Sequence, residues 1–589
     1  MIYPLDEARR EVISALENAL SQLYIGLTQR FYKKLLEDGE VTKKLENPPE
    51  NMGDFAFPCY FLASELKKSP NNIANDIVKY IKKSKWIEKV EAKGPYVNFF
   101  LNIEYLKTST INSILKNKDK YGSLSKKNKK VIVEHTSANP NGPLHVGRAR
   151  NPIIGDTLVR IFKAAGYTVE SQFYLDDMGK QVAILTWGIN NLNPKEVPKS
   201  EYNKPDHKKV GFYQLANKLM EKDNKIARQI DEIVKRSEEG DKKTIEHICK
   251  AYTPVLEGIK DSLNRINITI DEYIPESNFI KDKSVDYIVE KLKQSKYCNN
   301  EEDAFFLDIE SFGVMGRNTK FFFIRNDGTT LYATRDVAYH LWKAKNADIL
   351  VNVLGEDHKL ESKQVEIALN IVGAKIVPKV IFYSFVSLPE GKMSTRRGLV
   401  VYIDDLIDEC IKRAYDEVKK RRGEDFSEKK MKEIAEIVGI GALRYNIIKV
   451  QPEKDIVFKW EEALNFEGNA SPFIQYSHAR ACSILSKKQD ELKDIDATLL
   501  NHDSEVVLIK KLALLPIVVD DACEGCKPHI ITSYLFDIAS QFNQFYRDCP
   551  VLPEKEKKLR QARLALVDAT RIVLKNGLAL LGIVAPEEM

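Results

Sequence analysis

One short stretch restricts the fold of this chain more than any other. The apolar run Val131-Ile132-Val133 gives way to a Gly/Pro-punctuated segment from Ser137 to Pro143, after which apolar residues recur at Ile153, Ile154, Leu158, Ile161 and Phe162. A continuous apolar run suits a strand covered on both faces, as in a parallel sheet, and the later spacing is helical. The loop from Thr136 to Val146 therefore joins a buried strand to a helix, the opening unit of an α/β domain. At such a junction free backbone N–H groups and the helix dipole face an anion, and His145 adds a donor to phosphate. Gly147 has no side chain and lets a flat base or ribose approach the backbone. Taken alone, His145-Val146-Gly147 is equally a tight turn with a surface histidine.

A second segment complements the first. Phe382 to Leu388 reads as a strand, and Pro389-Glu390-Gly391 forces a turn that presents Lys392, Met393 and Ser394 on a loop. A cation on such a loop can close over a triphosphate, where transfer needs positioning and charge neutralisation rather than a covalent nucleophile.

The two segments, in this order, resemble the signature motifs of class I aminoacyl-tRNA synthetases. The rest of the chain resembles the arginyl members of that class. Met52-Gly53-Asp54-Phe55-Ala56 and Gly94-Pro95-Tyr96-Val97-Asn98-Phe99 are similar to their extra N-terminal domain. Glu134-His135-Thr136-Ser137-Ala138-Asn139-Pro140 and the segment from Asp327 to Asp336 resemble their amino-acid pocket, and Phe473 to Arg480 resembles the start of their helical anticodon-binding domain.

The resemblance implies a Rossmann-type α/β catalytic domain with a parallel sheet and an insertion, an α/β N-terminal domain and an all-α C-terminal domain. Its boundaries are residues 1–103 for the tRNA-contacting N-terminal domain, 104–404 for the catalytic domain with an insertion at about 193–300, 405–465 for a helical linking region and 466–589 for the anticodon-binding domain. Within this division residues 104–127 are polar and Lys-rich, a connector. Turn signals at Pro194, Pro198 and Pro205 mark the insertion, and Phe321 to Ile324 and Ile349 to Leu354 are expected to return the chain to the sheet.

Site residues follow from the same resemblance. Leu144, His145, Gly147, Arg148, Lys392, Met393, Ser394 and Arg396 are expected to bind ATP, which arrives with Mg2+, and His145, Arg148 and Lys392 to act in catalysis. Glu134, Asn139, Tyr332, Asp336 and Asp357 are expected to bind arginine. The pocket residues suit that ligand, because a permanently charged planar guanidinium is best met by carboxylates with an aromatic ring alongside. Tyr476, Tyr546 and Met589 are assigned to tRNA; Phe545 is a further aromatic of the same region, where the neighbouring Phe542 points to core packing for at least one of them. No protein-held metal site is expected.

Three positions depart from the family pattern. Arg148 stands for the last His of the first motif, Thr395 for the second Lys of the second motif, and Gly142 for a Lys that in many arginyl enzymes offsets that loss. Arg148, aided by Arg396 or Arg397, is expected to supply a missing cation, since a guanidinium grips phosphate oxygens bidentately. A tRNA-binding relative that has lost catalysis, a small-molecule nucleotidyltransferase and a synthetase for another amino acid are the alternatives; the second leaves both terminal thirds unexplained.

Composition sets wider bounds. A chain of 589 residues suits roughly three to five domains. With 90 basic and 85 acidic side chains the net charge is only +5, so nucleic-acid binding must rely on local basic surface. No apolar stretch spans a bilayer and the first residues lack a signal-peptide pattern, which places the protein in the cytoplasm with no membrane partner. Its partners are tRNA(Arg) and arginine, and the family default is a monomer. The eight cysteines form no disulfide framework; Cys523, Cys526 and His529 make up an incomplete zinc-like set.

Overall fold

The computed structural model describes residues 2–589 except 24–32, 34–38, 47, 50–51, 315–318, 388–400 and 489–491. At its centre is a five-stranded sheet in the order β11-β10-β4-β5-β6, formed by β4 (Lys130–Glu134), β5 (Thr168–Leu175), β6 (Glu272–Pro275), β10 (Ile349–Gly355) and β11 (Lys379–Tyr383). All four pairings are parallel. Val131, Ile132 and Val133 are fully buried, as their apolar run requires. Ile153, Ile154, Leu158, Ile161 and Phe162 are buried on the following helix, α4 (Arg150–Ala164).

The chain builds β4, β5 and β6 towards one edge, then returns to lay β10 and β11 on the other side of β4. The order therefore reverses between β4 and β10, which creates a crevice at their carboxyl ends.

Three sequence expectations change here. Strand β6 lies inside the span read as an insertion, so the helices α5 (Lys180–Asn191), α6 (Pro205–Met220), α7 (Asn224–Glu238) and α8 (Lys242–Arg265) form a long crossover between two sheet strands. Phe321 to Ile324 does not return to the parallel sheet. It belongs to β9 (Lys320–Ile324), which pairs antiparallel with β8 (Ala304–Asp308) and, beyond it, β7 (Cys298–Glu301), in a separate three-stranded sheet. Only Ile349 to Leu354 makes the return. The strand expected at Phe382–Leu388 starts earlier, as β11, and resumes as the two-residue β12 (Val386–Ser387) against β13 (Ile456–Val457), while Leu388 is outside the described residues. Apolar runs tell that a segment is buried but not which sheet covers it.

The Lys-rich stretch after residue 103 is also more ordered than its polarity suggests. It forms α3 (Ile103–Asn117), which buries Leu106, Ile111 and Ile114. Lys107 is buried with them because its ammonium donates to the carbonyls of Thr498 and Leu500 and to Asn501 Oδ1 at 2.8–3.2 Å. Ahead of α3, α1 (Pro4–Leu23), α2 (Pro70–Tyr80) and a small antiparallel sheet of β1 (Phe55–Pro58), β2 (Ile87–Lys93) and β3 (Tyr96–Leu101) share a separate core around Phe57, Trp86 and Phe99.

After β10 comes α10 (Lys359–Ile371), and helices dominate after residue 402: α11 (Ile403–Arg422), α12 (Glu428–Ile448), α13 (Ser471–Ser486), α14 (Asp503–Ala513), α15 (Leu515–Gly525), α16 (His529–Asp548) and α17 (Lys557–Leu580). Their core is continuous with that of the parallel sheet. Arg444 of α12 sits fully buried at the meeting point, donating to the carbonyls of Leu581 and Ile266 and to Asp156 of α4. Among the described residues no helix is long and apolar enough to cross a membrane.

Candidate active site

Beyond β4 the backbone turns sharply. Thr136 and Ser137 have φ of 73° and 32°, a left-handed conformation that costs a non-glycine residue about 1–3 kcal/mol. Asn151 of α4 offsets this strain: its Oδ1 accepts the Thr136 N–H at 2.7 Å and its Nδ2 donates to the Val353 carbonyl at 3.1 Å. The turn is thereby tied to both α4 and β10, and it leaves Glu134 buried in the crevice. Glu134 Oε1 accepts from Ser137 Oγ at 3.2 Å, and Oε2 from Lys343 Nζ at 2.6 Å.

The first motif follows. His145 opens a one-turn 3-10 helix, Val146–Arg148, and its Nδ1 accepts the Gly147 N–H at 3.0 Å. The neutral ring must then carry its proton on Nε2, free for an incoming oxygen. Partial burial, followed by the nearby Arg148 guanidinium, holds the His145 pKa below its ordinary value, which favours this neutral donor. Gly147 also protects the local bond, since a Cβ there would lie 3.1 Å from His145 Nδ1. At Gly142 a Cβ would come within 2.6 Å of Val210 Cγ2 on α6, so the lysine missing at this position has no room.

Leu144 and Val146 are buried and bond through their backbones to Ile403 and Val401 at 2.8 and 3.0 Å, which joins the first motif to the chain that follows the second. Arg150, also buried, donates to the carbonyls of Ser384, Lys454 and Gln451 at 2.6–2.9 Å. Burial lowers its pKa to about 10, so it stays charged at neutral pH. Lys392, Met393, Ser394 and Arg396, with Thr395 and Arg397, lie outside the described residues.

The other side of the crevice is helix α9 (Tyr332–Asn346). Tyr332 begins it, 55% exposed, and Asp336 follows one turn on. His340 Nδ1 is 2.8 Å from the Asp336 carbonyl and 3.0 Å from Asp336 Oδ1. Asp357 lies in the 3-10 turn Glu356–His358 directly after β10, partly exposed, and Asn139 is half-buried in the loop after β4. Glu134 ends β4 with Asn139 in the loop after it, Asp357 follows β10, and Tyr332 and Asp336 lie in the first turns of α9; no hydrogen bond joins Glu134 to Asp336 directly.

A second concavity lies on the helical part. Tyr476 of α13 and Tyr546 of α16 are both exposed, and the Arg480 guanidinium lies 4.8 and 5.5 Å from their ring centroids. With Arg422 and Met589 they line two adjoining clefts of about 420 and 750 Å3. Phe545 is fully buried beside Phe542, so it is core.

Comparisons with known proteins match the chain throughout. Residues 110–460 match the family of class I tRNA synthetase (R) catalytic domains. Residues 10–101 match the arginyl-tRNA synthetase N-terminal domain and residues 474–589 the DALR anticodon-binding domain. An arginine–tRNA ligase of Methanocella arvoryzae is 48% identical over 528 residues, covering 90% of this chain and 92% of the relative. The chain belongs to the arginyl-tRNA synthetase family. Another relative, the arginine–tRNA ligase of Methanosphaera stadtmanae, is 40% identical over 99% of both chains. The solved arginyl-tRNA synthetase of Thermus thermophilus superposes with a TM-score of 0.79 at 26% identity, covering 99% of this chain and all of that one.

For a member of the arginyl-tRNA synthetase family, sequence reading missed the polar residues behind the pocket: His340, Lys343 and Asn352. The signal was present, because Asp336, His340 and Lys343 recur at i, i+4 and i+7 on one helix face. Cys523 and Cys526 are buried free thiols. Among the described residues they belong to no group of three potential ligands; the group that exists is Asp206, His207 and Asp404. There the Lys204 ammonium lies 2.8 Å from Asp404 and 3.6 Å from Asp206, and so supplies the positive charge itself.

Proposed function

We infer that this chain joins arginine to tRNA in two steps. Arginine carboxylate attacks the α-phosphate of ATP to give arginyl-adenylate and diphosphate, and a 3′-terminal ribose hydroxyl of tRNA(Arg) then takes the arginyl group and releases AMP. The observation that carries the reading is the match to arginyl-tRNA synthetases along the chain, combined with two carboxylates at the carboxyl edge of the sheet.

In this reading Asp336, Glu134 and Tyr332 receive the guanidinium side chain, while Asn139 and Asp357 hold the α-amino and carboxylate end. His145 donates from Nε2 to a phosphate oxygen, and Arg148 and Lys392 neutralise the charge that develops on the phosphates, with Leu144, Gly147, Met393, Ser394 and Arg396 completing the ATP site. No enzyme nucleophile is needed: alignment and electrostatic stabilisation suffice. Mg2+ enters as the counter-ion of ATP. Tyr476 and Tyr546 offer stacking faces to anticodon bases, with Met589 beside them. The protein works as a monomer in the cytoplasm.

Arginine-dependent ATP–diphosphate exchange, run with and without tRNA and with lysine as the control amino acid, tests the reading. Exchange with arginine alone among the two amino acids is expected; tRNA binding without any exchange would replace the enzyme by a binding protein. Unchanged exchange in Arg148→Ala would remove Arg148 from the ATP site.

A further inference from the structure

The two pocket carboxylates are joined by a buried relay of hydrogen bonds. Lys343 is fully buried, and its ammonium meets Glu134 Oε2 at 2.6 Å, Asn352 Oδ1 at 3.0 Å and the Tyr339 ring at 4.2 Å from the centroid. An ammonium only donates, so Asn352 must present its oxygen to Lys343 and its Nδ2 to His340 Nε2, 2.7 Å away. His340 Nε2 therefore accepts, and the ring proton sits on Nδ1, which faces Asp336 Oδ1 at 3.0 Å and its carbonyl at 2.8 Å. The path Glu134–Lys343–Asn352–His340–Asp336 has a donor and an acceptor at every link, and all of its members except Asp336 are buried.

The relay also fixes the charge of the pocket. Lys343 cancels one of the two carboxylates, and the single-proton histidine adds nothing, so one negative charge remains for one guanidinium. Two uncompensated buried carboxylates would repel each other and take up a proton instead. Register supports the arrangement: Asn352 of β10 stands directly beside Glu134 of β4.

We propose that Lys343, Asn352 and His340 are positioning residues for arginine, holding Glu134 as a neutralised hydrogen-bond acceptor and leaving Asp336 as the charge partner of the substrate. This rests on the assignment of the pocket to arginine made above. None of the three needs to touch the ligand.

The test is the KM for arginine, ATP and tRNA in exchange and aminoacylation assays on the full chain. Lys343→Met is expected to raise the arginine KM at least about tenfold while leaving the ATP and tRNA KM within about twofold, the pattern of a lost substrate-specific interaction. Lys343→Arg keeps the charge, and its arginine KM is expected to lie closer to wild type than that of Lys343→Met. Asn352→Leu cuts the relay at its centre; it is expected to raise the arginine KM alone, and to add little to Lys343→Met in the double variant, since both break one path.

Asp336→Asn separates the two claims. If it raises the arginine KM while Lys343→Met and Asn352→Leu do not, the relay is wrong and the pocket stands. If Asp336→Asn leaves the arginine KM unchanged, the pocket assignment and the relay both fall. Should Lys343→Met not fold, Asn352→Leu decides alone, and an unchanged arginine KM or an equal rise in all three constants overturns the proposal.

Discussion

The crevice at the sheet and the cleft at Tyr476 and Tyr546 handle charge in opposite ways. In the crevice the polar groups are matched before any ligand arrives: the buried Glu134 is paired with Lys343, and the part-exposed Asp336 is held by the ring of His340. In the cleft a guanidinium, Arg480, lies between two exposed rings, and the surfaces that would meet a partner are wet. Buried pairing gives a site that is costly to alter. An open aromatic and cationic surface suits flat bases that must arrive and leave.

The largest effect should come from removing a buried partner. Glu134→Gln leaves Lys343 without a counter-charge, and is expected to cost about 3–5 kcal/mol of stability in urea unfolding as well as arginine-dependent exchange. A loss below about 1 kcal/mol would put the crevice on the same footing as a surface pair and break the contrast.

A second expectation concerns acid. Burial first, with the opposing pull of Asp156 and Glu134, sets the His135 pKa at about 4 instead of 6.5. Below pH 6.5 the unfolded chain binds a proton that the folded chain refuses until about pH 4, so stability is full above 6.5 and falls through that window, by up to about 3 kcal/mol. Replacing His135 with Gln should flatten this part of a stability–pH curve; an unchanged slope would assign it to other groups.

Effects at the cleft should be smaller and confined to tRNA. Tyr476→Ala and Tyr546→Ala are each expected to weaken tRNA binding by about 1–3 kcal/mol in filter binding, with exchange at saturating tRNA unaffected. If either variant instead changed the arginine KM, the two regions would not be separate in function. The smallest expected change is at Gly142, where Ala must push Val210 aside, for about 1 kcal/mol by thermal melting.

Much of this arrangement was legible in the sequence, and what was not has identifiable causes. Val131 to Val133 announced a doubly covered strand because burial on both faces leaves no polar position. Phe321 to Ile324 carried the same message and lay in a different sheet, since apolarity reports cover and not partnership. Strand β6, Glu272–Pro275, was hidden because an edge strand of four residues with no fully buried member has no apolar run to show. Glu134 and Asp336 stood out through motif resemblance, whereas Lys343 looked like any helix lysine. Its burial comes from Tyr339 and Asn352, which reach it from one turn earlier on its own helix and from β10, and only the folded chain brings these together.

Arg444 bears on how such enzymes can exchange parts. One side chain of α12 is shared by the end of the last helix at Leu581, the end of the crossover at Ile266 and the first-motif helix at Asp156. A chimera that takes its C-terminal helices from a distant relative would keep this arginine and would have to bring the main-chain carbonyl at Leu581 back within its reach. A misplaced carbonyl leaves a donor unsatisfied in a dry junction that reaches Asp156 on the first-motif helix, so recombination among relatives should succeed where the crossover end and the terminal helix are inherited as a pair.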